Sequence, residues 1–365
     1  MTARRFANLS IGLLLLLGLI ALIGISRAYE HRVEQRAVGH LKTMLMLRES
    51  VLRSHFESLR SEVTLWSSRP IVIDLLKTLQ AAYQARGTQG LVEIGATQTD
   101  LESFIGILDN TTLDDRVAEF AAHHRYYDVF FIGPDGDVLY TVTKEDDYGS
   151  NLLDGPYADT GLGRLFRYLH TSPGGDRVEF EDFSRYAPNN NQPAAFLGAR
   201  VYSDGEYIGV YAVQIPDGPV NEIMQFSAGM GETGETYLVG EDGLMRSDSR
   251  FFDTSSVLNT KVTGATVDKA FNGEIGLEIV NDYRGVPVYS AYRLFEFEGI
   301  RWAVLAEQDV AEVRGPINST RLWMGGGFVA LCLIVLLFRF MLLRMILPTS
   351  LATLLGVSLI LMDDD

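Results

Sequence analysis

Phe130-Phe-Ile-Gly-Pro-Asp-Gly136 and Tyr237-Leu-Val-Gly-Glu-Asp-Gly243 are one pattern written twice: three apolar residues, a glycine, then an Asp-Gly pair. A short apolar run ending in Asp-Gly reads as a strand entering a tight turn, because both residues tolerate left-handed dihedrals. A second match follows each copy. Gly205-Glu-Tyr-Ile-Gly-Val-Tyr-Ala-Val-Gln214 parallels Gly299-Ile-Arg-Trp-Ala-Val-Leu-Ala-Glu-Gln308. Two matched pairs in the same order define a repeated unit: strand, Asp-Gly turn, strand, middle helix, three strands. In the first copy the pattern predicts strands near 128–132, 138–142, 177–183, 194–202 and 207–215. A middle helix falls within 146–169, and a short helix starts near Val220. The expected fold class is therefore α+β, two tandem copies of one small unit.

Upstream, residues 28–86 read as helix. Leu41, Leu45, Leu52, Phe56, Leu59, Val63 and Trp66 recur at spacings of three, four and seven, flanked by charged and polar residues. Two readings of that stripe stand: a helix packed on its own domain, or a stalk that pairs with the same helix of a second subunit. Residues 87–95 read as a break, and a further helical stretch spans about 99–124.

Two uncharged apolar runs bracket the repeated body, residues 9–25 and residues 322–338. Each is long enough for a helix to cross a bilayer core. Arg4 and Arg5 precede the first, and Arg339 and Arg344 follow the second, which places both ends in the cytoplasm and the body outside. A cleaved signal peptide is the rival reading of the first run, which is longer than a usual signal core. The lone cysteine, Cys332, lies in the second run, so the exported body must be held by packing rather than disulfides. A net charge of −16 with no basic stripe excludes nucleic acid as a partner.

The chain resembles the double Cache sensor family, the extracytoplasmic domains of bacterial chemoreceptors, sensor kinases and receptor-type cyclases. The resemblance runs from about Ala28 to Arg314 and is carried by residues 128–153, 231–252 and 282–294. It implies two PAS-like modules, each with an antiparallel sheet, stacked along a long N-terminal stalk helix and flanked by transmembrane helices. The expected segments are 1–27 (tail and first membrane helix), 28–125 (stalk and distal helices), 126–219 (membrane-distal module) and 220–314 (membrane-proximal module). Residues 315–344 form the exit helix and second membrane helix, and 345–365 an apolar tail. Within that tail, Pro348-Thr-Ser-Leu351 faintly resembles the start of a relay helix but lacks a charged face. Location in a bacterial inner membrane with a periplasmic body follows from the resemblance.

Family members that bind amino acids carry Arg-x-Trp-Tyr in the distal module; this chain has Arg164-Leu-Phe-Arg-Tyr168 instead. The candidate ligand residues are Arg167 and Tyr168 on the middle helix, Asp182 and Tyr186 in the loop segment after it, and Arg200 and Tyr202 on the following strand. An arginine clamps a carboxylate, an aspartate accepts from an amine, and a tyrosine gives an apolar wall with a polar edge. Their structural alternative is a set of surface charges and core tyrosines. In the proximal module Arg246-Ser-Asp248 reads as structural, with Asp248 fixing Arg246 or nearby backbone. Tyr237, Tyr283 and Tyr289 read as sheet core or a second pocket.

No cofactor is implied. Neither Gly161-Leu-Gly163 nor Gly231-Glu-Thr-Gly234 has the frame of a phosphate loop. His123 and His124 point apart on a helix, no His, Cys and carboxylate set has ligand spacing, and no nucleophile motif occurs. The expected function is a small-molecule sensor module of a transmembrane receptor, homodimeric through its stalk, relaying binding by helix displacement. The alternative is an accessory subunit of a larger membrane complex that keeps a sensor fold without an output domain.

Overall fold

The computed structural model describes residues 2–96, 112–171, 178–226 and 228–360. They divide into two compact units, one His40–Asp309 and the other Met1–Gly39 with Val310–Asp365. Helix α1 (Thr2–Ser67) begins the chain and α8 (Val310–Ile360) ends the described part. Leu9–Ser67 and Val310–Met341 each hold an 18-residue window apolar enough to cross a membrane, with none of its residues buried. In their own unit the two helices are tied by Arg314 Nη2 to Glu34 Oε1 at 2.9 Å and by Arg321 to Glu30. Residues 345–360 continue α8 as helix.

In the larger unit the α1 stripe faces inward. Leu41, Leu45, Leu52, Phe56, Leu59 and Val63 are buried, and Trp66 is half-buried. The expected single helix to Arg86 is broken earlier: α1 stops at Ser67 and α2 (Pro70–Arg86) starts afresh. Pro70 has no N–H to give to a continuing helix and holds the preceding Arg69 extended, at φ −73°, ψ 136°. Gly87 does end α2, but residues 88–95 form the short helix α3 (Thr88–Gly95) rather than an open break. Of the stretch expected at 99–124, helix α4 (Leu113–His124) is described; residues 99–111 lie outside the described residues. Its start is a capping box, with Thr112 accepting from Asp115 N and Asp115 accepting from Thr112 N.

The first module is a five-stranded antiparallel sheet in the order β2-β1-β5-β4-β3. Its strands are β1 (Asp128–Ile132), β2 (Val138–Thr141), β3 (Val178–Tyr186), β4 (Gln192–Ser203) and β5 (Glu206–Ile215). The middle helix α5 (Gly161–Thr171) covers one face. Leu162, Leu165, Phe166 and Leu169 interlock with Phe130, Phe196, Val210 and Ala212. A short helix α6 (Gly218–Gln225) leads to the second module, a sheet in the order β6-β9-β8-β7. It comprises β6 (Glu235–Gly240), β7 (Gly276–Asn281), β8 (Pro287–Phe297) and β9 (Ile300–Asp309), with helix α7 (Ala265–Phe271) before β7.

With β6 taken as the second β1, the two strand orders coincide. The duplication reaches the dihedrals: Asp204-Gly205 and Glu298-Gly299 turn the matching hairpins with φ of 53°, 85° and 44°, 83°. The second copy departs from the expected pattern in one place. Its counterpart of β2 is reduced to the isolated bridges Val239↔Met245 and Leu244↔Lys261. Asp248 is the reason. Its Oδ1 accepts from Ser256 N at 2.6 Å and Ser255 Oγ at 2.8 Å, folding the chain back where a strand would continue.

Gly136, at the first Asp-Gly turn, has φ +93°, and a Cβ there would meet Leu153 Cγ at 3.1 Å and Phe166 Cε1 at 3.2 Å. Gly136→Ala is expected to cost about 1–2 kcal/mol, read as a lowered urea midpoint; an unchanged midpoint would show that the turn relaxes freely.

Candidate functional site

The sheet of the first module carries a buried polar centre at the edge of its α5-facing core. The β2–α5 connection folds back onto the β1–β2 hairpin: Gly149 N donates to Val138 O and Leu152 N to Gly136 O. Asn151 donates to Asp135 O and to Asp137 Oδ1, both at 2.9 Å. This fold turns the side chain of Asp147 inward, where it is fully buried. Tyr186, at the end of β3 and also fully buried, donates its hydroxyl to Asp147 Oδ2. Asp147 Oδ1 has no partner among the described residues.

A buried carboxylate oxygen without a donor is exceptional in a folded protein and marks a place where a donor is missing. Burial raises the Asp147 carboxyl to about 7, and the negative charges of Asp128 and Glu145 add to it; the Tyr186 hydrogen bond opposes the shift. Asp128 stands one strand away with a different environment. It accepts from Thr141 Oγ1 at 2.8 Å, from Thr143 Oγ1, and from the amides of Val129 and Val142 at 2.6 Å each. Tyr127 extends the polar patch, its hydroxyl 2.8 Å from Glu145 Oε1 and 3.0 Å from Asn189 Oδ1. The Asp147–Tyr186 pair can therefore accept a hydrogen bond or a cationic amine. The α5 face beside it is filled by side chains, so a ligand larger than one or two atoms requires α5 or the β2–α5 connection to move.

The six residues singled out from sequence do not line one cavity. Arg167 and Tyr168 sit on the exposed side of α5, where Arg167 Nη1 stands 3.5 Å from Asp159 Oδ1. Asp182 and Tyr186 belong to β3 rather than to a loop, Asp182 within a register shift between Glu181 and Ser184 and Tyr186 just past it. That shift re-aims the strand. Tyr186 enters the polar centre, whereas Asp182 leaves the module altogether. It accepts from Arg246 Nε at 3.0 Å and from Trp302 Nε1 at 3.0 Å, both in the second module. Arg246 is thus fixed by Asp182 and Asp242, not by Asp248. Arg200 donates to Leu169 O and lies 3.4 Å from Tyr202 Oη. With Thr64, Ser67, Ile73 and Val178 these two border a cleft of about 280 Å³.

Sequence reasoning missed Asp147. The signal was present in the acidic run Glu145-Asp-Asp147 before a Tyr-Gly pair, but an acidic loop usually faces water. In the second module Tyr237 donates to Glu307 Oε2 at 2.9 Å and Tyr283 to Glu235 Oε1 at 2.6 Å, so these tyrosines serve buried carboxylates. Burial raises Glu307 to about 7.

Two antiparallel sheets in one strand order, threaded behind a long helix and with a buried polar centre in the first, are the architecture of a small-ligand sensor domain. The chain belongs to the Cache domain family, whose model matches residues 29–317. Cache domains are extracytoplasmic sensor domains of membrane receptors, among them chemoreceptors and histidine kinases, and they bind small ligands. Among solved structures it is similar to the extracellular domain of vpHK1S-Z8, a protein described as a histidine kinase. That match has 8% identity and a TM-score of 0.52, covering 78% of this chain and 95% of that one. It is also similar to a domain of a sensory box/GGDEF family protein from Vibrio parahaemolyticus, with 9% identity and a TM-score of 0.51, covering 76% and 98%. A further likeness is the ligand-binding domain of the amino-acid chemoreceptor PctC of Pseudomonas aeruginosa PAO1, in complex with GABA. There the identity is 14% and the TM-score 0.45, over 74% and 99%. No curated protein matches the chain.

Proposed function

We propose that this chain is the extracytoplasmic small-molecule sensor module of a transmembrane signalling receptor, with the Asp147–Tyr186 pair as its ligand contact. The single observation that carries the reading is the donorless, fully buried oxygen of Asp147 inside a Cache domain. A ligand amine or hydroxyl would supply the missing donor. The two sheets act as PAS-like modules, distal (126–219) and proximal (220–314). Residues 9–25 and 322–338 cross the membrane, both termini are cytoplasmic, and two copies pair through the stalk.

Ligand entry opens the packed face under α5, and closure around the ligand shifts the sheet against α1. The altered position of α1 relative to α8 is the output. A ligand biases such an equilibrium only by its difference in affinity for the two states, typically about 1–3 kcal/mol.

Calorimetry with small amines, amino acids included, on the detergent-solubilised chain tests this. Asp147→Ala is expected to weaken binding at least tenfold while circular dichroism stays unchanged. Binding unaffected by Asp147→Ala removes the site. If Arg200→Ala and Arg167→Ala weaken binding and Asp147→Ala does not, the pocket is the cleft at Arg200 instead.

The filled α5 face favours a second reading, an accessory membrane subunit that keeps the fold without a ligand. A stoichiometric membrane partner co-purifying from native membranes, together with no calorimetric response to any small molecule, supports that reading over the first.

A further inference from the structure

A cavity of about 370 Å³ lies in the larger unit, where α1, the end of α4, the end of β5 and the start of α6 meet, and the sensor reading makes no use of it. Its α1 wall is set by helical spacing: His55, Leu59 and Glu62, four and three residues apart, share one face. The facing wall comes from the end of α4. Arg125 takes the left-handed conformation, at φ 60°, which ends that helix and turns Tyr126 back beside His124. The His124 and Tyr126 rings then stack with centres 5.5 Å apart and planes 12° from parallel.

Among the described residues, Glu62 is the one carboxylate that borders the cavity. Its Oε2 accepts from the Tyr126 hydroxyl at 2.7 Å and stands 3.0 Å from His124 Nδ1, and its Oε1 accepts from Ser58 Oγ at 3.3 Å. It has no arginine or lysine partner among the described residues. Arg125 also borders the cavity, but its guanidinium is given to Glu222, with Nη1 3.0 Å from Oε2. Burial lowers His55, so that imidazole is uncharged at neutral pH. A half-buried carboxylate is thus left with hydroxyls and imidazoles in a space of ligand size. The histidines raise the alternative of a metal ion. They and Glu62 do not form one of the described groups whose ligand atoms converge within 4.8 Å, so the rings serve as walls.

We propose that this cavity binds a small organic ammonium ion, with its charge against Glu62 and its apolar body on Leu59 and Ile215. One carboxylate among aromatic walls is the setting that holds an alkylated ammonium, which brings positive charge and apolar surface together. Leu59 and Ile215 are buried and supply the apolar floor. Pro219, on the rim, belongs to α6, the short helix that leads into the second sheet. A ligand here therefore ties α1 to the connection between the two sheets. No residue bordering the cavity belongs to the Asp147–Tyr186 centre, so the two sites are tested separately.

Calorimetry and melting curves with choline, on the full chain in non-ionic detergent, test the site; dimethylbutanol, the uncharged carbon isostere of choline, is the control. Choline is expected to bind and to raise the melting temperature, and the isostere to do neither. Glu62→Gln keeps an acceptor for Tyr126 and is expected to weaken choline by about tenfold or more. Ser58→Trp, at an exposed position on the cavity wall, fills the space without removing a core contact. It is expected to abolish choline binding while circular dichroism stays unchanged. No response to choline in the wild type overturns the proposal, as does binding that both variants retain. Equal responses to choline and its isostere would show a cavity that does not recognise charge, and would also overturn it. So would choline binding that Asp147→Ala abolishes and both α1 variants keep, which would place the ligand at the first sheet's polar centre.

Discussion

Replacing Asp182 with alanine is expected to destabilise the His40–Asp309 unit by about 2–4 kcal/mol and to make its two sheets unfold separately. Asp182 is the first sheet's contribution to a polar joint with the second, taking Nε of Arg246 and Nε1 of Trp302 at 3.0 Å each. Arg246 is 5% exposed at its side chain and Trp302 is fully buried, so both would be left with lost partners out of water. Arg246 would keep Asp242, at 3.0 Å, whose side chain is 47% exposed. Breaking a buried pair by deleting one member costs about 3–5 kcal/mol. Asp182 itself is 23% exposed, and that solvent screening reduces the figure.

The joint sits against an aromatic hub. Phe56 of α1 lies 5.2 Å from Phe180, 5.3 Å from Phe297 and 5.5 Å from Trp302, ring centre to ring centre. The hub keeps the sheets associated in the variant, so the loss should appear as a broadened urea transition with a lower slope, not as an unfolded chain. A sharp transition shifted by less than about 0.5 kcal/mol would mean that the joint contributes nothing beyond a surface ion pair.

Asp147 carries the second large effect, through pH. Its folded carboxyl titrates near 7, whereas an unfolded aspartate titrates near about 3.9. Between those values the native state holds a proton that the unfolded chain has released. Stability from this group is therefore complete below about pH 4, falls as pH rises towards 7, and levels off above it. Asp147→Asn keeps an acceptor for the Tyr186 hydroxyl but cannot ionise. It is expected to match the wild type near pH 4.5 and to be more stable at pH 8 by about 2–4 kcal/mol. Asp128 is pushed up by burial as well and interacts with Asp147, so the variant keeps a weaker slope of the same sign. Denaturation curves for the two proteins at four or five pH values decide the matter. Parallel curves would show that Asp147 is ionised in the fold across this range.

Much of the fold was legible because it is encoded locally. The Asp-Gly turns, the alternation in residues 128–132 and the three-four-seven spacing along α1 depend on neighbours in sequence, and the duplication reported the same unit twice. What escaped was set by distance or by single breaks. Pro70 ends a periodicity that otherwise continues to Arg86. Asp248 cancels a strand through its side chain, which no alternation pattern records. The register shift in β3 sends Asp182 and Tyr186, four residues apart, to different modules. The polar centres were invisible for a related reason. Asp147 meets Tyr186, and Glu235 meets Tyr283, only after the sheets have assembled; in sequence each is one acid among many in a chain with 47 of them. The arginines drew attention because they match ligand chemistry by type, yet Arg167 lies on the outer side of α5 and Arg200 is engaged with Leu169 O.

The most direct measurement uses the chain's only cysteine, Cys332. With Cys332→Ser as background, Glu206→Cys places one thiol on the exposed start of β5 in the first module. A membrane-impermeant maleimide added to intact cells, with the outer membrane permeabilised where one is present, should label it fully. A thiol that reacts only after the cells are lysed would put the sheets on the cytoplasmic side and contradict an outward-facing sensor.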